Sequence, residues 1–290
     1  MLRMNRVSLA PLLITILLAV FATQACRAQV FYSVVSPEGR QNWLLGTIHS
    51  EDERVLVFPP VLEQALQQAE TVGLELVPDR EMLERLAEAM RLPDGSRLSD
   101  RLDEALYQRV RWALTEYGMA ADSVDQLRPW AAAMTLGQPP VRTGRFMDLV
   151  VARTAAEHGA IAVALETIDE QLAFFTGLGE QAHVALLRQA VEDRERGLAD
   201  FEALLAAYLE SDLQQLQQLA RRQLSRLPQS VQEKFRVQGI TLRNIEMARR
   251  AQPLLDQGAT LIAVGALHLP GEKGLVALLR EQGNRVEAIY

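Results

Sequence analysis

Two segments at opposite ends of the chain share one pattern, and that pattern limits the fold more than any other feature. Trp43-Leu44-Leu45-Gly46-Thr47-Ile48-His49 and Ile262-Ala263-Val264-Gly265-Ala266-Leu267-His268 are each an apolar run ending in Gly-x-x-His. Such a run reads as a buried strand. Glycine lets another backbone approach closely, and the histidine then emerges at the strand's carboxyl end. In open α/β sheets, ligands bind outside the carboxyl ends of the strands. Two such strands lying close together would aim two imidazoles at one spot, and imidazole is the commonest side chain for binding a transition metal. The two ends of the chain are therefore expected to pair in one sheet.

The segments between them read mostly as helix. Residues 30–35 and 42–46 flank a Ser36-Pro37-Glu38-Gly39 turn and predict a β-hairpin. A helix is expected over 60–70, with Pro60 in its first turn, and then a short strand over 71–77 stopped by Pro78. Leu83, Leu86 and Met90 keep helical spacing, as do Leu102, Leu106, Val110 and Leu114. Asp94-Gly95 breaks these two helices apart, and Arg128-Pro129 and Gln138-Pro139-Pro140 mark further boundaries. A strand over 161–166, helical sequence over 180–250 with a stop near Leu227-Pro228, a strand over 260–265, a helix over 274–281 and a strand over 285–289 follow. The expected fold is α/β (α+β): a central β-sheet built from both ends of the chain, with helical insertions at about 79–147 and 180–250. Residues 29–290 are taken as one domain.

Composition removes several function classes. The chain has 290 residues, with 30 Lys+Arg against 37 Asp+Glu, a net charge of -7, so nucleic acid is not an expected partner. A single cysteine, Cys26, excludes an intramolecular disulfide, a cysteine-rich zinc site and an iron–sulfur cluster. Any metal must be held by His, Asp and Glu, and the histidines are only four, at positions 49, 158, 183 and 268. Arg3 and Arg6, the apolar run over 9–22, and Ala22, Ala25 and Ala28 form the three-part pattern of a secretory signal peptide, assigned to 1–28. The protein is therefore expected to be exported, periplasmic or secreted. Cleavage after Ala25 would leave Cys26 first and allow lipid anchoring to the membrane, although Thr23 and Gln24 depart from the usual lipidation pattern. An uncleaved signal anchor is the alternative, and it too places the domain outside the cytoplasm.

Two carboxylates join the histidines. Leu74-Glu75-Leu76 sets an acid between apolar neighbours, and Leu165-Glu166-Thr167 sets another just past an apolar run. A buried carboxylate needs a partner, which a metal or a buried arginine can supply. Two His with one or two Glu match the ligand sets of zinc- or manganese-type hydrolytic sites, where one Glu can ligate and the other take a proton from water. The structural alternatives are a salt-bridged Glu75 and a Glu166 stabilised by the dipole of a helix start. His158 falls where a helix ends and His183 on a helical surface pattern, so both are read as structural.

Residues 45–49, 74–76 and 264–271 resemble the signature blocks of the TraB/GumN family, which includes the Tiki-like metalloproteases and is distantly similar to erythromycin esterases and ChaN-like proteins. Ala164-Leu165-Glu166-Thr167 with Glu170-Gln171, and Leu242-Arg243-Asn244 with Met247-Ala248, resemble two further blocks. The resemblance runs from about residue 32 to 289. It implies a hydrolase, acting on peptides or proteins, that depends on a divalent metal (manganese, cobalt or zinc). By the same resemblance His49, Glu75 and His268 are the metal ligands, and Glu75, Glu166 and Arg243 the catalytic groups. Asn244, Gly46 and Gly265 support the site. The charged run Ser50-Glu51-Asp52-Glu53-Arg54 departs from the family pattern, as does Arg145 in place of a glycine beside Gly144. The rival expectation is a non-catalytic envelope protein of the same fold: a polysaccharide- or export-associated accessory, or a haem binder.

Overall fold

The computed structural model describes residues 29–290; the expected signal peptide and Cys26 lie outside them. Six strands form one mixed sheet: β1 (Phe31–Val35), β2 (Gln41–Thr47), β3 (Thr71–Leu74), β4 (Ile161–Ala164), β5 (Thr260–Gly265) and β6 (Arg285–Ala288), in the order β4-β3-β5-β2-β1-β6. β4, β3, β5 and β2 run parallel to one another, and β1 runs antiparallel to its neighbours β2 and β6. The sheet is thus built from both ends of the chain, as the sequence predicts.

β5 decides the architecture. The chain passes from β2 through the helix Pro60–Gln68 to β3, and the slot between β2 and β3 is filled only by β5, some 190 residues later in sequence. The two Gly-x-x-His strands therefore lie side by side, with Gly46 opposite Val264 and Thr47 opposite Gly265. Leu44, Leu45, Leu261, Ile262 and Val264 are all buried, because parallel strands are covered on both faces. β4, at the edge, is mostly exposed. Asn42 is fully buried and ties the layers, donating to Leu255 O at 2.9 Å and accepting from Thr260 N at 3.0 Å.

The helical insertions do not sit apart from each other. Leu106, Val110 and Trp130 from the first pack with Leu187 and Val191 from the second in a core separate from that of the sheet. The helix Pro129–Leu136 packs along the helix Glu180–Glu192. The helical stretch expected over 180–250 is divided into helices at Glu180–Glu192, Arg194–Leu209, Leu213–Leu224 and Gln229–Lys234, followed by a π-helical segment Phe235–Thr241 and the helix Leu242–Gln257. His183 is less exposed than its pattern predicts: its Nε2 lies 2.7 Å from Phe175 O, between helices. His158 caps the carboxyl end of the helix Met147–Glu157, as predicted. No helix of the described residues is long and apolar enough to cross a membrane.

Candidate functional site

Glu75, Glu166, His268 and His49 each lie just past the carboxyl end of a parallel strand: β3, β4, β5 and β2 respectively. The strand expected over 71–77 stops at Leu74, so Glu75 belongs to the loop beyond the sheet. There its carboxylate crosses to the next strand, and Oε1 accepts from Gly265 N at 2.7 Å.

Arg243 organises the acids. It stands in the first turn of Leu242–Gln257, directly after the π-helical segment, a kind of irregularity frequent at functional sites. Its Nη2 donates to Glu75 Oε2 at 2.7 Å and to Glu166 Oε2 at 2.6 Å, and its Nε donates to Glu166 Oε1 at 2.8 Å. Glu166 is 4% exposed, and both its oxygens are held by this guanidinium. Gln171 adds its amide to Glu166 Oε2 at 3.1 Å and to Glu75 Oε2 at 3.4 Å. Burial opposes ionisation of Glu75, but the charges of His268 and Arg243 and the Gly265 amide outweigh it and hold the carboxyl below its ordinary range.

Asn244, the next residue, turns to the other side of its helix. Its Nδ2 donates to Lys273 O at 2.7 Å and to His268 O at 3.2 Å, so its Oδ1 is an acceptor. That oxygen lies 2.5 Å from His268 Nδ1, which must therefore carry the proton. Burial pushes the His268 pKa down, against the pull of Glu75. His268 is 5% exposed, and its Nε2 faces Glu75 Oε1 across 3.8 Å.

The two Gly-x-x-His motifs diverge after their strands. Past β5 the chain curls into a 3-10 turn, Ala266–His268, which draws His268 under the sheet's end. Past β2 the chain runs on without regular structure, and the His49 side chain is 54% exposed. His49 stacks on Phe146, with ring centroids 3.9 Å apart, and its Nδ1 lies 3.3 Å from Asp148 Oδ1. Glu75, Glu166, Arg243, Asn244, Gly265 and His268 thus form one network, while His49 has its polar partner elsewhere. Gly46 serves the turn: a Cβ there would lie 2.9 Å from Ala266 Cα.

The donor set bears on a metal in a definite way. Glu75 Oε1 and His268 Nε2 are a carboxylate oxygen and an imidazole nitrogen, suited to a divalent cation. Among the described residues no group of three or more His, Cys, Asp and Glu side chains is gathered to hold one. The fit is therefore that of two donors.

Gln171 and Asp148 carry no role in the sequence reading. A signal for Gln171 existed. Thr167 and Glu170 form a capping box, which fixes the helix start and sets Gln171 one turn inside it, near Glu166. Asp148 stood in the sequence only as the acid kept in a family-like element after Gly144 and Arg145; its pairing with His49, 99 residues away, could not be read locally.

This is a mixed α/β protein with a carboxylate–guanidinium–imidazole site at the carboxyl ends of its parallel strands. Residues 31–288 match the model of the TraB/PrgY/gumN family, and the chain belongs to that family. No curated protein and no solved structure matches it.

Proposed function

We propose that the protein is an exported metal-dependent hydrolase acting on peptides, with its reaction centre at Glu75 and His268. The observation that carries this reading is that His268 Nε2 and Glu75 Oε1 face each other across 3.8 Å at the ends of neighbouring strands. Two carboxylates, those of Glu75 and Glu166, stand there against one guanidinium. Carboxylates held away from water call for a cation beside them.

Glu75 and His268 would hold the metal, with His49 from the neighbouring strand proposed as the further ligand. A bound divalent ion would supply a water of lowered pKa as the nucleophile. Asn244 fixes the tautomer of His268, as partners of ligating histidines do. Glu75 is the carboxylate placed to accept a proton. Arg243 faces the developing negative charge of the attacked carbonyl. Glu166, with both oxygens on Arg243, positions that guanidinium.

The test is metal analysis of the purified protein against His49→Ala/His268→Ala, followed by peptide-library cleavage. Near-stoichiometric metal in the wild type, lost in the variant, is the expected result. Equal and negligible metal in both, after incubation with manganese, cobalt and zinc, would sink the reading. The second reading is a non-catalytic envelope binding protein. It is favoured by the two-donor fit and by the engagement of Arg243 with both carboxylates. Haemin added to the protein, followed by absorbance, checks the haem-binding form of that reading.

A further inference from the structure

The two departures from the family pattern, the charged run 50–54 and Arg145 beside Gly144, meet in the structure. Glu51 turns its carboxylate onto three successive backbone amides about 90 residues later in the chain. Its Oε2 accepts from Arg142 N at 2.8 Å and from Thr143 N at 3.1 Å, and its Oε1 accepts from Gly144 N at 2.5 Å. Successive N–H groups in a turn form a small concavity that suits an anion, and their bonds to a carboxylate are charge-assisted. Gly144, at φ +69°, takes the left-handed backbone that turns the chain there.

This clamp holds the strap that carries the partners of His49. Phe146 stacks on the imidazole with the two rings 8° from parallel, and Asp148 Oδ1 lies 3.3 Å from Nδ1. Between them Met147 N donates to Ser50 O at 3.0 Å, so the strap is tied down on both sides of Phe146. The His49 and Asp148 side chains are 54% and 39% exposed, and a contact that open is weak by itself. The backbone ties of the strap keep it formed. An ionised carboxylate only accepts, so Asp148 draws the proton of a neutral His49 ring to Nδ1 and leaves the lone pair on Nε2. Asn244 Oδ1 stands in the same relation to His268 Nδ1.

We propose that Glu51 is a positioning residue for His49: it fastens residues 142–144 and so keeps Phe146 and Asp148 seated against the imidazole, with Nε2 as the free nitrogen. The inference rests on the hydrolase reading above, in which His49 is a metal ligand, and adds what holds that ligand in place.

The test reads the His49 ring by NMR in the full chain in EDTA, with its signals assigned through His49→Ala. At a pH where the ring is neutral, the nitrogen-15 shifts tell which nitrogen carries the proton, and the ring protons report the stacked Phe146. The wild type should be in the Nδ1–H form with its ring protons shifted upfield. Phe146→Leu should lose the upfield shift, and Asp148→Ala should lose the Nδ1–H preference. Glu51→Ala should lose both together, although Glu51 bonds to neither side chain. Glu51→Gln, which keeps one acceptor oxygen of the two, should lose part of each and carries the same readout if Glu51→Ala does not fold. A lowered melting temperature with the His49 tautomer and ring shifts unchanged would reduce Glu51 to a loop tie and overturn the proposal. A wild-type ring in the Nε2–H form would overturn it as well. With zinc or manganese added in place of EDTA, Glu51→Gln should bind the metal about ten- to a hundredfold more weakly than the wild type, as loss of an outer partner of a ligating histidine does. Equal affinity would also overturn the proposal. A wild type that binds no metal would sink the hydrolase reading, and the ring measurement, which needs no metal, would still decide the role of Glu51.

Discussion

Arg243 holds two carboxylates from strands that are distant in sequence, and its removal would leave both without a cation. Breaking a buried ion pair from one side costs about 3–5 kcal/mol. The Arg243 side chain keeps 21% of its exposure, so Arg243→Ala should fall at the low end of that range in urea denaturation. Glu166→Gln added to Arg243→Ala should recover part of the loss, since it removes one of the stranded charges. Simple additivity of the two substitutions would contradict the network. Glu170 gives a separate, pH-dependent prediction. Its hydrogen bonds to Arg250, helped by the Thr167 amide, hold its carboxyl at about 2, against an ordinary 4.5. A carboxyl lowered on folding contributes stability above its unfolded pKa and loses it as pH falls through the folded one. The stability difference between wild type and Glu170→Gln should therefore shrink between pH 4.5 and about 2. Partial exposure keeps the effect small. A difference constant across that window would show that Arg250 does not hold Glu170.

At the scale of elements, the two Gly-x-x-His motifs differ in what their glycines do. Gly46 lets the turn after β5 approach β2, with Ala266 Cα 2.9 Å and Leu269 Cδ2 3.0 Å from where a Cβ would stand. Backbone cannot move aside cheaply there, so Gly46→Ala should cost about 1–3 kcal/mol by thermal or urea unfolding, as overpacking does. At Gly265 the same addition would meet Glu75 Oε1 at 3.2 Å, the mobile end of a side chain. Gly265→Ala should therefore be milder in stability than Gly46→Ala, and the reverse ranking would contradict this geometry. The turn Ala266–His268 also explains why similar motifs deliver their histidines to different places. A strand pattern reports burial and where the strand ends, and the path beyond it is set by what the next residues pack against.

For the whole molecule, β5 is the piece on which the sheet closes. Without residues 260–290 the sheet would divide into the pair β1–β2 and the pair β3–β4, and two-stranded pieces are marginal alone. A chain ending after Gly258 should lose amide-exchange protection throughout β1 to β4, whatever the second helical core retains. Protected amides in β2 or β3 of that truncated chain would show that the sheet does not depend on β5.

The strands, the proline- and glycine-marked boundaries and the pairing of the two chain ends were legible locally, because apolar runs, glycines and prolines act on their own neighbours. Leu44, Leu45, Ile262 and Val264 announced buried strands, and Pro60 and Pro78 announced boundaries. His49, Glu75, Glu166, Arg243 and His268 were legible as chemistry-bearing types at strand ends or in family-like blocks. Their partners were not. Arg243 meets Glu75 across 168 residues, and His49 meets Asp148 across 99. Such encounters depend on how helices of similar amphipathic pattern pack, and many packings satisfy the same pattern. The sequence determined which segments are buried and which residues can do chemistry. Only the tertiary structure decided that one arginine holds two acids, that one histidine is buried beside Glu75, and that the other stays exposed against Phe146.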